Sequence, residues 1–337
     1  MHAGEWLRLP GTPDILTLFP GVPVFFVISG FLITGSYIGR RQSLHDYARN
    51  RILRVYPGMT VNLALIFVLM VATGSITLDA LGDPRIYTYF AAIAATGWTK
   101  LGGVLAGSKS FTFGPETLPF FPGGALWTVG VEIGFYIVVP LIMGLPRKWL
   151  PAVFAASLGL AAVQMRLQSS WIDTTIPAYL WIFLLGAGAR LAWDRVGWLF
   201  RQTFPIWLAL HLLLWIVPDY KTPTLPAILS MLTLAGCSLS FAHTLPRISS
   251  ILRRQDISYG VYLYHMPVIL TLLWLGHSGE GWLWAAVFAA TFVMAALSWL
   301  LVERPALALK RRGTAGDAAA TLPSAIALSE PGAVESR

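Results

Sequence analysis

The chain has 337 residues, of which 56% are hydrophobic and only 12% charged, with a mean hydropathy of +0.65. A soluble domain carries about 25% charge, so this chain cannot cover a globule with polar surface and a soluble enzyme is excluded. Its net charge of +8 would suggest nucleic acid in a soluble protein, but in a membrane protein it marks cytoplasmic loops, and nucleic acid is not an expected partner.

The expected fold is an all-α integral membrane bundle. Residues 1–20 hold Glu5, Arg8, Asp14 and three prolines, with no apolar core of the length a signal peptide needs. Apolar stretches long enough to span then follow at 21–38, 57–74, 123–145, 149–166, 174–193, 203–218, 224–243, 257–276 and 282–302, a spanning helix needing roughly 20 such residues. A tenth stretch, 86–107, is poor in strongly apolar residues and contains Lys100. If it does not span, the loops at 39–55, 146–148, 190–201, 245–256 and 303–312 share one side and hold seventeen of the 24 basic residues. Only Arg8, Arg85, Lys100, Lys109, Arg166 and Lys221 fall opposite. The positive-inside rule puts the basic face in the cytoplasm. The predicted organisation is an extracytoplasmic segment 1–20, a membrane domain 21–305 and a cytoplasmic tail 306–337, basic at first and then too poor in periodicity to fold. Nine spans with the N-terminus outside and no signal sequence suggest that a first helix precedes the sequence. The single cysteine, Cys237, excludes an internal disulfide and any CxxC metal site. No metal site is expected.

Ionisable groups at membrane depth cost about 3 kcal/mol on insertion scales and therefore mark function or interhelical hydrogen bonding. Glu132 lies nine residues past Gly123, about 14 Å deep at roughly 1.5 Å per residue. Thr128, Glu132 and Tyr136 recur at i, i+4 and i+8, one helix face. Ser258, Tyr262 and His265 repeat at i, i+4 and i+7 on another helix, and Ser29 lies in the middle of the first span. Three helices are thus expected to carry polar groups to one level of a shared interior. The loop 49–58, Arg-Asn-Arg-Ile-Leu-Arg-Val-Tyr-Pro-Gly, is the other dense feature. Arg51 and Arg54 are spaced i, i+3 and point one way, Pro57 marks a helix start or a kink, and guanidiniums so placed suit phosphate or lipid headgroups.

Five motifs then stand in order along residues 21–305. They are Gly21-Val-Pro-Val-Phe-Phe-Val-Ile-Ser-Gly-Phe-Leu-Ile33, Arg51-Ile-Leu-Arg54 with Val-Tyr-Pro57, Leu126-Trp-Thr-Val-Gly-Val-Glu-Ile-Gly-Phe-Tyr136, Ser258-Tyr-Gly-Val-Tyr-Leu-Tyr-His265-Met-Pro267, and Val302-Glu-Arg-Pro305. Together they resemble the acyltransferase-3 family of integral membrane acyltransferases. The resemblance implies transfer of an acyl group, commonly acetyl, from cytoplasmic acyl-CoA to a hydroxyl of a sugar, glycan or glycosylated metabolite, in a multi-pass protein of the cell inner membrane. Acyl-CoA enters as co-substrate, no resident cofactor is implied, and membrane lipids are the remaining partners.

By the same resemblance, Arg51 and Arg54 bind donor phosphates, Glu132 orients a base or an acceptor hydroxyl, and Ser29, Trp127, Tyr136, Tyr262 and His265 line the substrate site. The family places a catalytic histidine after a first helix that is absent here, and His2 stands about where it would fall. The chain departs from the family at Gly130, Ile133 and Gly134, where a Ser, a Glu and a Gln are usual, changes expected to reshape the acceptor pocket. Two other readings fit the residues: a transporter of a polar metabolite, since buried polar groups on several helices suit a translocation path, or an inactive member of the family.

Overall fold

The computed structural model describes residues 19–39, 43–106, 111–114, 116–167, 176–214, 225–244 and 257–309. These form helices throughout: α1 Gly21–Ile38, α2 Leu44–Ala72, α3 Pro84–Thr96, α4 Thr99–Ala106, α5 Leu126–Met143, α6 Leu150–Leu167, α7 Ile176–Leu191, α8 Trp193–Val196, α9 Phe204–Leu214, α10 Leu225–Thr244, α11 Ser258–Trp274 and α12 Leu283–Ser298. A π-helical turn, Trp299–Glu303, continues α12. Among the described residues, five helices are long and apolar enough to cross a membrane: α1, α2, α5, α10 and the run Leu283–Leu309. A sixth span results if α7 and the turns after it count as one, across a 77° bend. Each stretch expected to span is mainly helical over its described residues, although α7, α9 and α11 are shorter than 18 residues.

The outward faces confirm the solvent. Leu141, near the end of α5, and Leu301, in the π turn after α12, are 67% and 72% exposed, where water would penalise them and lipid does not. The inward faces meet in a continuous core. Phe26 of α1 packs edge-on against Phe135 of α5 at 5.4 Å, and Phe135 stacks on Phe183 of α7 at 4.2 Å. Helices α1 and α7 cross at two glycines. A Cβ on Gly30 would overlap the Phe183 carbonyl, and one on Gly186 would overlap the Val27 carbonyl. Small residues allow this backbone approach, the usual device where lipid supplies no hydrophobic drive between helices.

The stretch 86–107, set aside as a span by the charge distribution, forms two short helices, α3 and α4, broken at Gly97, whose φ is +70°. Its left-handed turn suits a residue without a Cβ, and a Cβ there would stand 2.7 Å from the Gly130 amide. One expectation about the elements needs correction, that for the basic segment. It is not a loop ending at a span that starts at 57: α2 begins at Leu44, where the Ser43 hydroxyl caps the Asp46 amide at 3.1 Å, and runs 29 residues with Pro57 inside it. The cap sets the start, and membrane helices tolerate an internal proline where neighbouring groups re-satisfy the freed backbone.

Candidate active site

Helix α2 carries Tyr47, Arg51 and Arg54 at i, i+4 and i+7, so all three share one face. That face turns into the bundle. The Arg51 guanidinium sits between two rings, 5.4 Å from the centroid of Tyr47 and 5.3 Å from that of Tyr136. Arg54 lies over Tyr259 of α11 at 5.7 Å and approaches Glu303 at 4.0 Å. Each cation therefore has an aromatic face, and two carboxylates balance the pair. Glu132 of α5 is buried, accepts a 2.7 Å hydrogen bond from the Tyr136 hydroxyl and interacts electrostatically with both arginines. Buried charges require such pairing. Arg51 Nε and the Tyr47 hydroxyl are nevertheless buried without a hydrogen-bond partner among the described residues.

A second tier lies one turn along. The Thr128 and Tyr262 hydroxyls share a short hydrogen bond, and Tyr262 also donates to the Ala125 carbonyl at 2.8 Å. The Phe25 ring stacks on Tyr262, 5.6 Å away and within 5° of parallel. Ser29, one turn on from Phe25, is buried on the same side of α1. His265 Nδ1 is 2.6 Å from the Tyr262 carbonyl. A carbonyl only accepts, so Nδ1 carries the proton, and a neutral ring presents Nε2 as an acceptor. Asn62 donates to the Leu263 carbonyl at 3.1 Å, tying α2 to α11.

The polar groups thus converge as expected, but not on one level. Helices α5 and α11 run past each other so that Thr128 meets Tyr262, while Glu132 interacts with Tyr259. His265 lies six residues beyond Tyr259, about 9 Å along the helix. Counting residues from each helix end placed His265 at the level of Glu132 because it ignored this stagger.

Trp127 does not face the charges. It packs at 5.3 Å on Tyr179 of α7, itself against Phe26. Gly130, Ile133 and Gly134 face away as well. They line an apolar cavity of about 340 Å³ between α3, α5 and α7, with Thr96, Trp98, Ile137 and Ile176. His2 lies outside the described residues, as do Arg247, Arg253, Arg254 and the tail from 310. No group of three or more His, Cys, Asp or Glu able to hold a metal occurs among the described residues.

Residue reasoning missed Tyr47, Tyr259 and Glu303. The last two stood inside recognised motifs, and Glu303 closes an otherwise apolar run, a signal of the same kind that singled out Glu132.

A helical bundle with outward-facing leucines and a buried set of arginines, carboxylates and tyrosines defines a multi-pass membrane protein with a polar interior cluster. A family model described as an acyltransferase domain matches residues 2–303, and the chain belongs to that family of integral membrane acyltransferases. It is 36% identical over 342 residues to Nodulation protein 10 of Rhizobium leguminosarum bv. viciae, covering 92% of this chain and 89% of the relative. It is also 26% identical over 330 residues to the peptidoglycan O-acetyltransferase OatA of Listeria monocytogenes serovar 1/2a, covering 85% of this chain and 51% of that one. No solved structure matches it. The protein is a membrane acyltransferase.

Proposed function

We propose that the protein moves an acyl group, acetyl as the first candidate, from cytoplasmic acyl-CoA to a hydroxyl of a sugar or glycan. The observation that carries this is the placement of Arg51 and Arg54 side by side on the buried face of α2, against Glu132, Tyr136 and Glu303. A guanidinium pair suits the phosphates of a nucleotide-bearing donor by charge-assisted hydrogen bonds, and the unpartnered Arg51 Nε and Tyr47 hydroxyl are donors that such an anion would take up. The acetyl group and the glycan acceptor follow what the name of the Listeria relative states of that protein.

The reaction needs a base, an oriented hydroxyl and a leaving thiol. A histidine takes the proton of the acceptor hydroxyl, the oxygen attacks the thioester carbonyl, the C–S bond breaks, and the departing thiolate is protonated. His2, which falls within the matched stretch, is the proposed base. Glu132, held by Tyr136, orients that base or the acceptor hydroxyl. Ser29, Tyr262 and His265 form the wall of the acceptor site. The basic end of α2 faces the cytoplasm in this reading, in the plasma membrane, with the C-terminus on the same side.

The test is labelled acetyl transfer in membranes containing the protein, with and without acceptor sugars. Arg51→Ala and Arg54→Ala are expected to raise the donor KM about tenfold or more each. Movement of the acceptor across vesicles that lack acetyl-CoA, with no ester formed, would replace this reading with transport.

A further inference from the structure

The Val302-Glu-Arg-Pro305 motif carries Glu303 at the end of the last helix. Its carboxylate does not sit where an unbroken α-helix would put it. Five residues of α-helix turn through about 500°, which sends positions i and i+5 to divergent faces. Here the segment after Ser298 is π-helical, Trp299–Glu303, and a π turn brings i and i+5 together. The Ser298 hydroxyl accordingly donates to Glu303 Oε1 at 3.0 Å, and both side chains are buried. Insertions of this kind are rare and concentrate where a side chain must be re-aimed.

The re-aimed carboxylate meets α2. Glu303 Oε2 lies 4.0 Å from Arg54 Nη1, with the glutamate side chain 3% exposed and the arginine 25%. Gly58, one turn past Arg54, gives it room: a Cβ there would stand 3.4 Å from Glu303 Oε1 and 3.0 Å from the Tyr259 ring. Tyr259, under the Arg54 guanidinium, is fixed in turn by donating to the Val55 carbonyl at 2.9 Å. Arg49 donates to the Leu309 carbonyl at 3.3 Å, a second tie between the same two segments. Arg51 and Arg54 carry like charge one turn apart on α2, and Glu132 interacts with both from α5. Glu303 supplies Arg54 with an anion from the α12 side as well.

We propose that Glu303 is a positioning residue for the donor site: delivered by the π turn and fixed by Ser298, it holds the Arg54 guanidinium in the orientation that takes a donor phosphate. This rests on the reading that Arg54 binds the donor.

The test is equilibrium binding of tritiated acetyl-CoA to the full chain purified in detergent, with gel filtration to confirm intact protein. Glu303→Gln is expected to weaken binding about tenfold, Glu303→Asp to recover part of the loss, and Ser298→Ala to weaken binding about threefold. In an Arg54→Ala background, Glu303→Gln should add less than about twofold, because its effect passes through the missing guanidinium. An unchanged Kd in intact Glu303→Gln protein overturns the proposal, as does an equal further loss in the Arg54→Ala background. Arg54→Ala without effect, or wild-type protein that binds no acetyl-CoA, overturns the donor-site reading and this one with it. Weakening by Arg54→Ala alone overturns only the role of Glu303.

Discussion

Tyr136→Phe removes one oxygen atom from the centre of the bundle. The ring stays, and with it the contact 5.3 Å from the Arg51 guanidinium, so the substitution isolates the 2.7 Å hydrogen bond to Glu132. A hydrogen bond to a charged group contributes about 1.5–3 kcal/mol, and leaving a buried acceptor unsatisfied costs a comparable amount. If Glu132 must be held in one orientation for transfer, that loss lowers the rate about tenfold to 150-fold. The assay is the initial rate of labelled acetyl transfer at saturating donor, normalised to the amount of membrane-inserted protein. Because the hydroxyl touches Glu132 rather than the phosphate clamp, the donor KM should change little while kcat falls. A rate within about threefold of wild type at equal protein would refute the idea that Tyr136 fixes Glu132 for the reaction.

Three further outcomes are expected. Gly186→Ala places a methyl group on the Val27 carbonyl, a backbone atom that cannot rotate away, so it should destabilise the bundle by about 1–3 kcal/mol, read as a fall in the unfolding midpoint in detergent. Gly97→Ala combines a φ of +70° with a Cβ 2.7 Å from the Gly130 amide and should lower the same midpoint, whereas Gly103→Ala, where a Cβ meets nothing within 4 Å, should not. His2→Ala should reduce transfer about a hundredfold or more, the range for loss of a general base, and His265→Ala by less than about tenfold. The reverse order, measured in the same transfer assay, would move the base to His265.

Much of the fold is written in local pattern. Apolar runs of spanning length mark helices because lipid demands that every backbone group be satisfied within its own segment, and each such run is mainly helical over its described residues. The start of α2 was less legible. Arginines and Pro57 argue against a spanning helix, and only the Ser43 cap, with the aromatic faces that receive Arg51 and Arg54, shows why one persists. The same limit applies to the site. Thr128, Glu132 and Tyr136 could be placed on one face by their spacing, as could Arg51 and Arg54. The depth of His265 relative to Glu132 depends on the stagger of α5 against α11, which no single helix encodes. Trp127 shares a motif with Glu132 but points elsewhere, toward Tyr179. The direction of Glu303 was illegible for a related reason: it is set by the switch from α to π geometry after Ser298, and a constant helical period would aim the side chain away from Arg54.

The central claim is that the buried charge cluster performs acyl transfer from a thioester donor. The most direct measurement supplies labelled acetyl-CoA and a panel of sugar acceptors to membranes containing either the wild-type chain or Glu132→Gln at equal abundance, and counts alkali-labile label on the acceptor. The account predicts donor-dependent ester formation by the wild type and its loss, by about a hundredfold or more, in Glu132→Gln. Full transfer by Glu132→Gln, or acceptor movement by the wild type with no ester formed, would contradict it.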